Sequence, residues 1–386
     1  MALARRGGTV VLLGALLVAL AVGARSDSPE SESGARPESD AIVWSLLLIG
    51  DTGNPARRGE PVLAALRRDV LVRPARTTVV FLGDNLYGRG LPPPGHPRRA
   101  EMERRIDVQL DAVRTTGARV VFIPGNHDWD AGGPDGWAAV RRQQHRVGER
   151  GDPKIAFLPP DGCPGPEVVD EGERLRLVVL DTQWWLHGHA KPSHPVSGCA
   201  ADSEEEVAAA LRSALERTGT RDAVVVMHHP LVSGGPHGGR FGLKQHLFPL
   251  TELRKWAWLP LPIVGSAYPI ARSSGISRQD QGSGAYERMR ERILEAAKGH
   301  PPLAWASGHE HGLEVIESPR FGRVLVSGAG IHGHVTHVRG VEGTRYQAAR
   351  SGYMRIDFLM DGRRRLAVVE VAKDASAREA YASFLR

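Results

Sequence analysis

The sequence predicts a layered α/β domain, and three observations carry that prediction. Short apolar runs alternate with helical stretches along most of the chain, polar residues follow those runs directly, and two late apolar runs around a turn read as a closing hairpin. The runs 42–49, 77–82, 119–123, 175–180, 223–227, 303–306 and 324–326 read as buried strands. Helical candidates lie at 61–72, 98–115 and 285–298. The clearest is 203–218, where Ser203 with Glu206 makes a capping box and Gly219 stands where a helix stops. The hairpin joins 353–358 to 366–371 through Asp361-Gly362. One domain over 42–375 suffices. The segment 241–284 breaks the rhythm with Pro, Gly and Ser around Trp256 and Trp258 and reads as an insertion over one face, while 376–386 reads as a C-terminal tail.

With 386 residues, 41% of them apolar and 24% charged, the composition is that of a folded soluble chain. Residues 1–24 read as a secretory signal: Arg5 and Arg6 precede an apolar run over 10–22, and Val22-Gly23-Ala24 offers small residues for cleavage. Left uncleaved, that run would anchor the chain to a membrane, although it falls short of the ~20 residues of a spanning helix. Residues 25–41, rich in Ser, Glu and Pro, read as a disordered leader. The expected location is periplasmic or secreted. Removing Arg5 and Arg6 lowers the formal charge from +6 by two, to +4. The remaining basic residues are scattered. Only Arg363-Arg364-Arg365 forms a tight run, read here as solvated surface, so nucleic acid is not indicated as a partner. Cys163 and Cys199 can close one disulfide in an oxidising compartment, and two thiols are too few for a structural zinc site.

Five polar motifs stand directly after strand candidates: Gly50-Asp51-Thr52-Gly53, Gly83-Asp84-Asn85-Leu86-Tyr87, Gly125-Asn126-His127-Asp128, His228-His229-Pro230 and Gly308-His309-Glu310-His311. A Gly-Asp pair alone is a common turn, and a lone histidine is a common surface residue. In an open α/β sheet, however, ligands bind outside the carboxyl ends of the strands, so these loops converge on one place. Carboxylate, amide oxygen and imidazole suit transition-metal ions, and the donors suffice for two.

On these motifs the chain resembles the calcineurin-like metallophosphoesterases, and within them the purple acid phosphatases. The broad family has Asp-x-His at its first motif. Here Gly53 takes the histidine's place and Gly83-Asp84-x-x-Tyr87 supplies a tyrosine, which is the purple acid phosphatase form. The resemblance runs from Asp51 to His311 and does not cover the leader or the insertion. It implies a layered β-sandwich flanked by helices as one catalytic domain. It also implies that Asp84 bridges two metal ions, with Asp51, Tyr87 and His311 at one and Asn126, His228 and His309 at the other. Spacing alone leaves His228 and His229 equivalent; the family places the ligand two residues before the proline. A Tyr87 phenolate would favour a hard trivalent ion such as iron, with a second iron, zinc or manganese beside it.

His127 neighbours a ligand and is the expected acid for the leaving oxygen or clamp for the phosphate, the role the resemblance also implies. Asp128 is read either as orienting that imidazole or as a helix cap. His237 stands where small animal purple acid phosphatases carry a further active-site histidine, in a loop that Gly234, Gly235, Gly238 and Gly239 would make mobile. His332, His334 and His337 read as solvated, His187, His189 and His194 stay unassigned, and Trp184 with Trp185 reads as packing.

The expected activity is hydrolysis of phosphate monoesters, on small-molecule or protein substrates, by a hydroxide held at a dinuclear metal site. The rivals are a phosphodiesterase or nucleotidase with the same ligands, and an extracytoplasmic metal- or phosphate-binding protein without turnover.

Overall fold

A computed structural model describes Glu38 and residues 41–385 apart from 150, 196, 254, 255 and 262. The expected signal over 1–24 and nearly all of the leader lie outside the described residues. The first seven strands are β1 (Ile42–Ile49), β2 (Thr77–Phe81), β3 (Arg119–Phe122), β4 (Ile155–Phe157), β5 (Glu167–Glu171), β6 (Leu175–Val179) and β7 (Asp222–Val226). Then come β8 (Ala304–Ser307), β9 (Leu313–Ser318), β10 (Gly322–Ser327), β11 (Thr344–Ala348), β12 (Gly352–Leu359), β13 (Arg364–Val371) and β14 (Ala377–Leu385).

Two seven-stranded sheets result. The first has the order β14-β13-β12-β1-β2-β3-β4: β1 to β4 run parallel, and β12, β13 and β14 are added antiparallel beside β1. The second has the order β11-β9-β10-β8-β7-β6-β5, parallel from β6 through β7 and β8 to β10, with antiparallel strands at both edges.

Alternate residues of each strand serve two cores, because successive side chains leave a strand on opposite faces. Leu46, Leu48, Val80 and Val121 from the first sheet cluster with Leu177, Val179, Val224 and Val226 from the second. The residues between them, such as Leu47, Val79 and Phe122, pack instead on helices α1 (Pro61–Val72) and α2 (Arg99–Val113). Burial on both faces is why these strands read as unbroken apolar runs. Seven further α-helices follow among the described residues: α3 (Gly136–Gly148), α4 (Thr182–Leu186), α5 (Glu204–Glu216), α6 (Leu243–Leu247), α7 (Leu250–Leu253), α8 (Ala267–Ser273) and α9 (Gly284–Ala296). Leu211 of α5 and Met289 and Ile293 of α9 cover the second sheet's outer face, and Ser203 caps α5 by accepting the Glu206 N–H at 3.3 Å.

Two expectations need correction. The segment read as a C-terminal tail forms β14, which pairs along β13 from Arg364↔Leu385 to Val371↔Ala377. The Arg run is only partly solvated: Arg365 is buried and pairs with Glu379 of β14, Arg364 pairs with Asp222 of β7, and Arg363 stays exposed. Within the insertion, α6, the turn Val264–Ser266 and α8 pack on one another. Cys163 and Cys199 form a disulfide. Among the described residues no helix is long and apolar enough to cross a membrane.

Candidate metal centre

All five motifs follow parallel strands, β1, β2 and β3 of the first sheet and β7 and β8 of the second, so the carboxyl ends of both sheets face one crevice. Neighbouring loops of each sheet are tied by backbone hydrogen bonds, Asp51 N–H to Gly83 O at 3.0 Å and Gly308 N–H to His228 O at 3.1 Å, and Gly50 N–H to Ser327 O at 2.7 Å joins the two sheets. Glycine permits this closeness. A Cβ at Gly125 would lie 2.3 Å from Asp84 N and 2.4 Å from its Oδ1, and one at Gly308 would lie 2.5 Å from Asp51 Oδ2. Asp51, Asp84 and His309 hold φ of 61°, 51° and 70°, a left-handed backbone that costs a non-glycine residue about 1–3 kcal/mol and persists where the surroundings enforce it.

Two donor sets result. In the first, the Tyr87 hydroxyl donates to Asp51 Oδ1 at 3.0 Å and stands 2.9 Å from His311 Nε2, which is 3.5 Å from the same carboxylate oxygen. In the second, Asn126 Oδ1 lies 3.0 Å from both His228 Nε2 and His309 Nδ1, which are 3.3 Å apart. Asp84 stands between the sets: its Oδ1 is 3.5 Å from His228 Nε2, and ligand atoms of Asp51, Asp84 and His228 all lie within 4.8 Å of one another.

Proton bookkeeping shows what this arrangement fits. His228 Nδ1 donates to Leu82 O at 2.8 Å and His309 Nε2 donates to Gln279 O at 3.3 Å. In the neutral form these bonds select the tautomers whose lone pairs, on Nε2 and Nδ1 respectively, face each other and the amide oxygen of Asn126. Lone pairs facing lone pairs repel unless a proton or a metal cation lies among them. Titration preferences agree. Burial pushes Asp51 up to about 8 against the pull of His228, with Asp84 adding to the rise. Burial, then the charges of Asp51 and Asp84, pushes the Tyr87 phenol well above its ordinary range. Burial also drives His309 well below its ordinary range and His311 down to about 4. A bound cation reverses the preference of both acids and suits both neutral imidazoles, so the residues fit a metal centre.

Around the donors, His127 sits at the rim with its side chain one-third exposed (33%), its Nδ1 donating to Gly88 O at 2.9 Å and its backbone N–H donating to Asp84 Oδ1 at 2.8 Å. Burial opposes its charged form, but Asp84 and the Gly88 carbonyl outweigh burial and hold it above the ordinary imidazole range. His237 packs tilted against His309 with ring centres 4.1 Å apart. Arg272 of α8 donates to its Nδ1 at 2.9 Å, and Asp280 lies 3.4 Å away. His229 is held away from the donors by Thr182 Oγ1 at 2.8 Å and Gln279 Oε1 at 2.6 Å, although its ring lies 4.5 Å from that of His309 and it offers a donor to a group with His228 and His309.

Three readings of neighbouring residues change. Asp128 does not touch the His127 ring; its carboxylate accepts the backbone N–H groups of Gly125, Asn85 and Leu86 at 2.8, 3.1 and 3.0 Å and so locks the second motif to the third. His334 is not a solvated loop histidine, since it stacks 4.2 Å from His311 and 4.9 Å edge-on from Tyr87. The glycine loop around His237 is pinned: Glu310 accepts from Ser233 Oγ and Gly238 N at 3.0 and 2.9 Å, and Glu314 accepts from Gly234 N at 2.7 Å. Gln279, Asp280 and Arg272 were missed because they belong to the insertion, which carries no motif. The amide-rich run Gln279-Asp280-Gln281 was the only signal.

The calcineurin-like phosphoesterase family model matches residues 45–313. Among solved structures, GAP50, the anchor in the inner membrane complex of Plasmodium, matches with a TM-score of 0.51 at 13% identity over 89% of this chain and 88% of that one. Purple acid phosphatase PPD1 from seeds of yellow lupin (Lupinus luteus) matches with a TM-score of 0.54 at 11% identity over 88% of this chain, which spans 53% of the lupin chain. At these identities the likeness is one of fold. No curated protein matches by sequence.

Proposed function

Because the chain belongs to the calcineurin-like phosphoesterase family, we propose that it hydrolyses phosphate monoesters at a dinuclear metal centre of the purple acid phosphatase type. The observation that carries this reading is the convergence of His228 Nε2 and His309 Nδ1 on the Asn126 oxygen, with Asp84 between that set and the set of Asp51, Tyr87 and His311. Two cations held there would supply Lewis acidity toward the phosphoryl oxygens and acidify a water. Tyr87, in the place where the broad family has no phenol, supports iron in the first position, with iron, zinc or manganese in the second.

The chain's own groups do the rest. His127 has its Nδ1 proton committed to Gly88 O, so a second proton on Nε2 is the one it can give to the departing alcohol. Arg272 donates to His237 Nδ1, which leaves Nε2 as the nitrogen that can donate to a phosphoryl oxygen beside His309. The substrates are phosphorylated small molecules or proteins, met outside the cytoplasm once residues 1–24 have directed export.

Turnover of an aryl phosphate monoester and of its bis-aryl diester by the metal-loaded chain tests the reading. A kcat/KM at least about tenfold higher for the monoester is expected. The reverse preference would establish a diesterase, and no turnover of either ester would establish a binding protein.

A further inference from the structure

Nine of the thirteen exposed large hydrophobic side chains among the described residues fall between Leu243 and Ile276, inside the insertion. Trp256 is 80% exposed, Ile263 90% and Ile276 75%, and Trp258, Leu259 and Val264 are each more than half exposed. They belong to one packed unit. Phe248 stacks edge-on against Trp258 at 5.4 Å, Leu261 N–H donates to Leu247 O at 2.8 Å, and His246 bonds Ser266 Oγ at 3.0 Å. The unit is fixed to the body through Phe241, whose carbonyl accepts from Arg339 at 2.9 Å. A soluble monomer rarely concentrates its exposed apolar surface in this way.

We infer that this face docks on an anionic phospholipid bilayer. Two features favour a lipid surface over a second copy of the chain or another protein. Outside the Arg272–Asp280 pair that holds His237, the sequence of the insertion carries four basic residues (Lys244, Arg254, Lys255 and Arg278) against one acidic residue (Glu252), a surplus that attracts anionic headgroups and repels an identical face. Lys244 Nζ also lies 4.6 Å above the Trp258 ring, so a cation and an amphipathic aromatic share one edge, the combination that seats a peripheral protein at headgroup depth with its aliphatic residues below. Docking would set the catalytic rim near the headgroups, since α8, which bears exposed Ile270, also holds His237 through Arg272. The docking stands apart from the proposed reaction and can be tested without it.

The test is quenching of tryptophan fluorescence by brominated acyl chains in vesicles of phosphatidylcholine, with or without about 30% phosphatidylglycerol. The full chain can be used, because residues 1–41 contain no tryptophan and a leader inserted by itself contributes no signal. Quenching is expected in the anionic vesicles and weakly or not at all in phosphatidylcholine alone. Trp256→Phe/Trp258→Phe should remove the quenching while keeping the chain bound, and Trp256→Ala/Trp258→Ala should lower the anionic-dependent partition by about tenfold or more. Absence of quenching in the anionic vesicles would overturn the inference. So would an alanine variant that binds them as well as the parent chain, or one whose only change is loss of self-association.

Discussion

Nε2 of His228 and Oδ1 of Asn126 stand 3.0 Å apart, and in the neutral tautomer that donates to the Leu82 carbonyl both present lone pairs. Such a contact is favourable around a shared proton or a metal cation, and Asp84 Oδ1 lies 3.5 Å from the same nitrogen. Asp84→Ala is therefore expected to remove metal and hydrolysis together, with turnover falling at least about a hundredfold. Elemental analysis and kinetics on the same preparation check this. Full activity with normal metal content would reject Asp84 as the shared ligand.

Gly125→Ala should damage the centre without replacing a ligand. The added methyl would lie 2.3 Å from Asp84 N, so the second motif must move, at a cost of about 1–3 kcal/mol in stability and with weaker metal retention. Gly148 is the control: it ends α3 with nothing within 4 Å of its Cβ position, and Gly148→Ala should be neutral or slightly stabilising. Thermal unfolding of the two variants compares them directly.

Much of this centre was legible because a strand buried on both faces must end in a loop, and five such loops carried donors. Gly53 and Tyr87 narrowed the type further. The rest was hidden for physical reasons. β14 alternates small, charged and aromatic residues over Ala377–Leu385, a pattern that makes sense only once β13 offers it an edge. The edge strands β5 and β11 are short and half exposed, so they lack an apolar run. His334 is recruited by stacking on His311, and Asp128 by backbone donors, neither of which leaves a spacing in the sequence.

Glu314 makes stability depend on pH. Burial, aided by Glu310, pushes its carboxyl up to about 8, while in the unfolded chain it titrates near its ordinary value of 4.5. A folded value above the unfolded one means the native state holds the extra proton. This contribution is complete below pH 4.5, declines as pH rises toward 8, and is constant above that. Glu314→Gln keeps an acceptor for the Gly234 N–H and cannot ionise, so it should unfold at a higher temperature than the parent chain at pH 8, by an amount on the order of 2 kcal/mol, and show little advantage at pH 5. Melting curves at the two pH values decide it; a variant less stable at pH 8 than at pH 5, relative to the parent, would show that Glu314 is ionised in the fold.

The number of transition-metal ions per folded chain, counted by elemental mass spectrometry and set beside the visible spectrum of the same sample, probes the dinuclear centre most directly. Two ions per chain are expected, one of them iron, with a visible absorption band that vanishes in Tyr87→Phe. A fully active chain that carries no more than one ion would contradict the shared role of Asp84 and the pairing of the two donor sets.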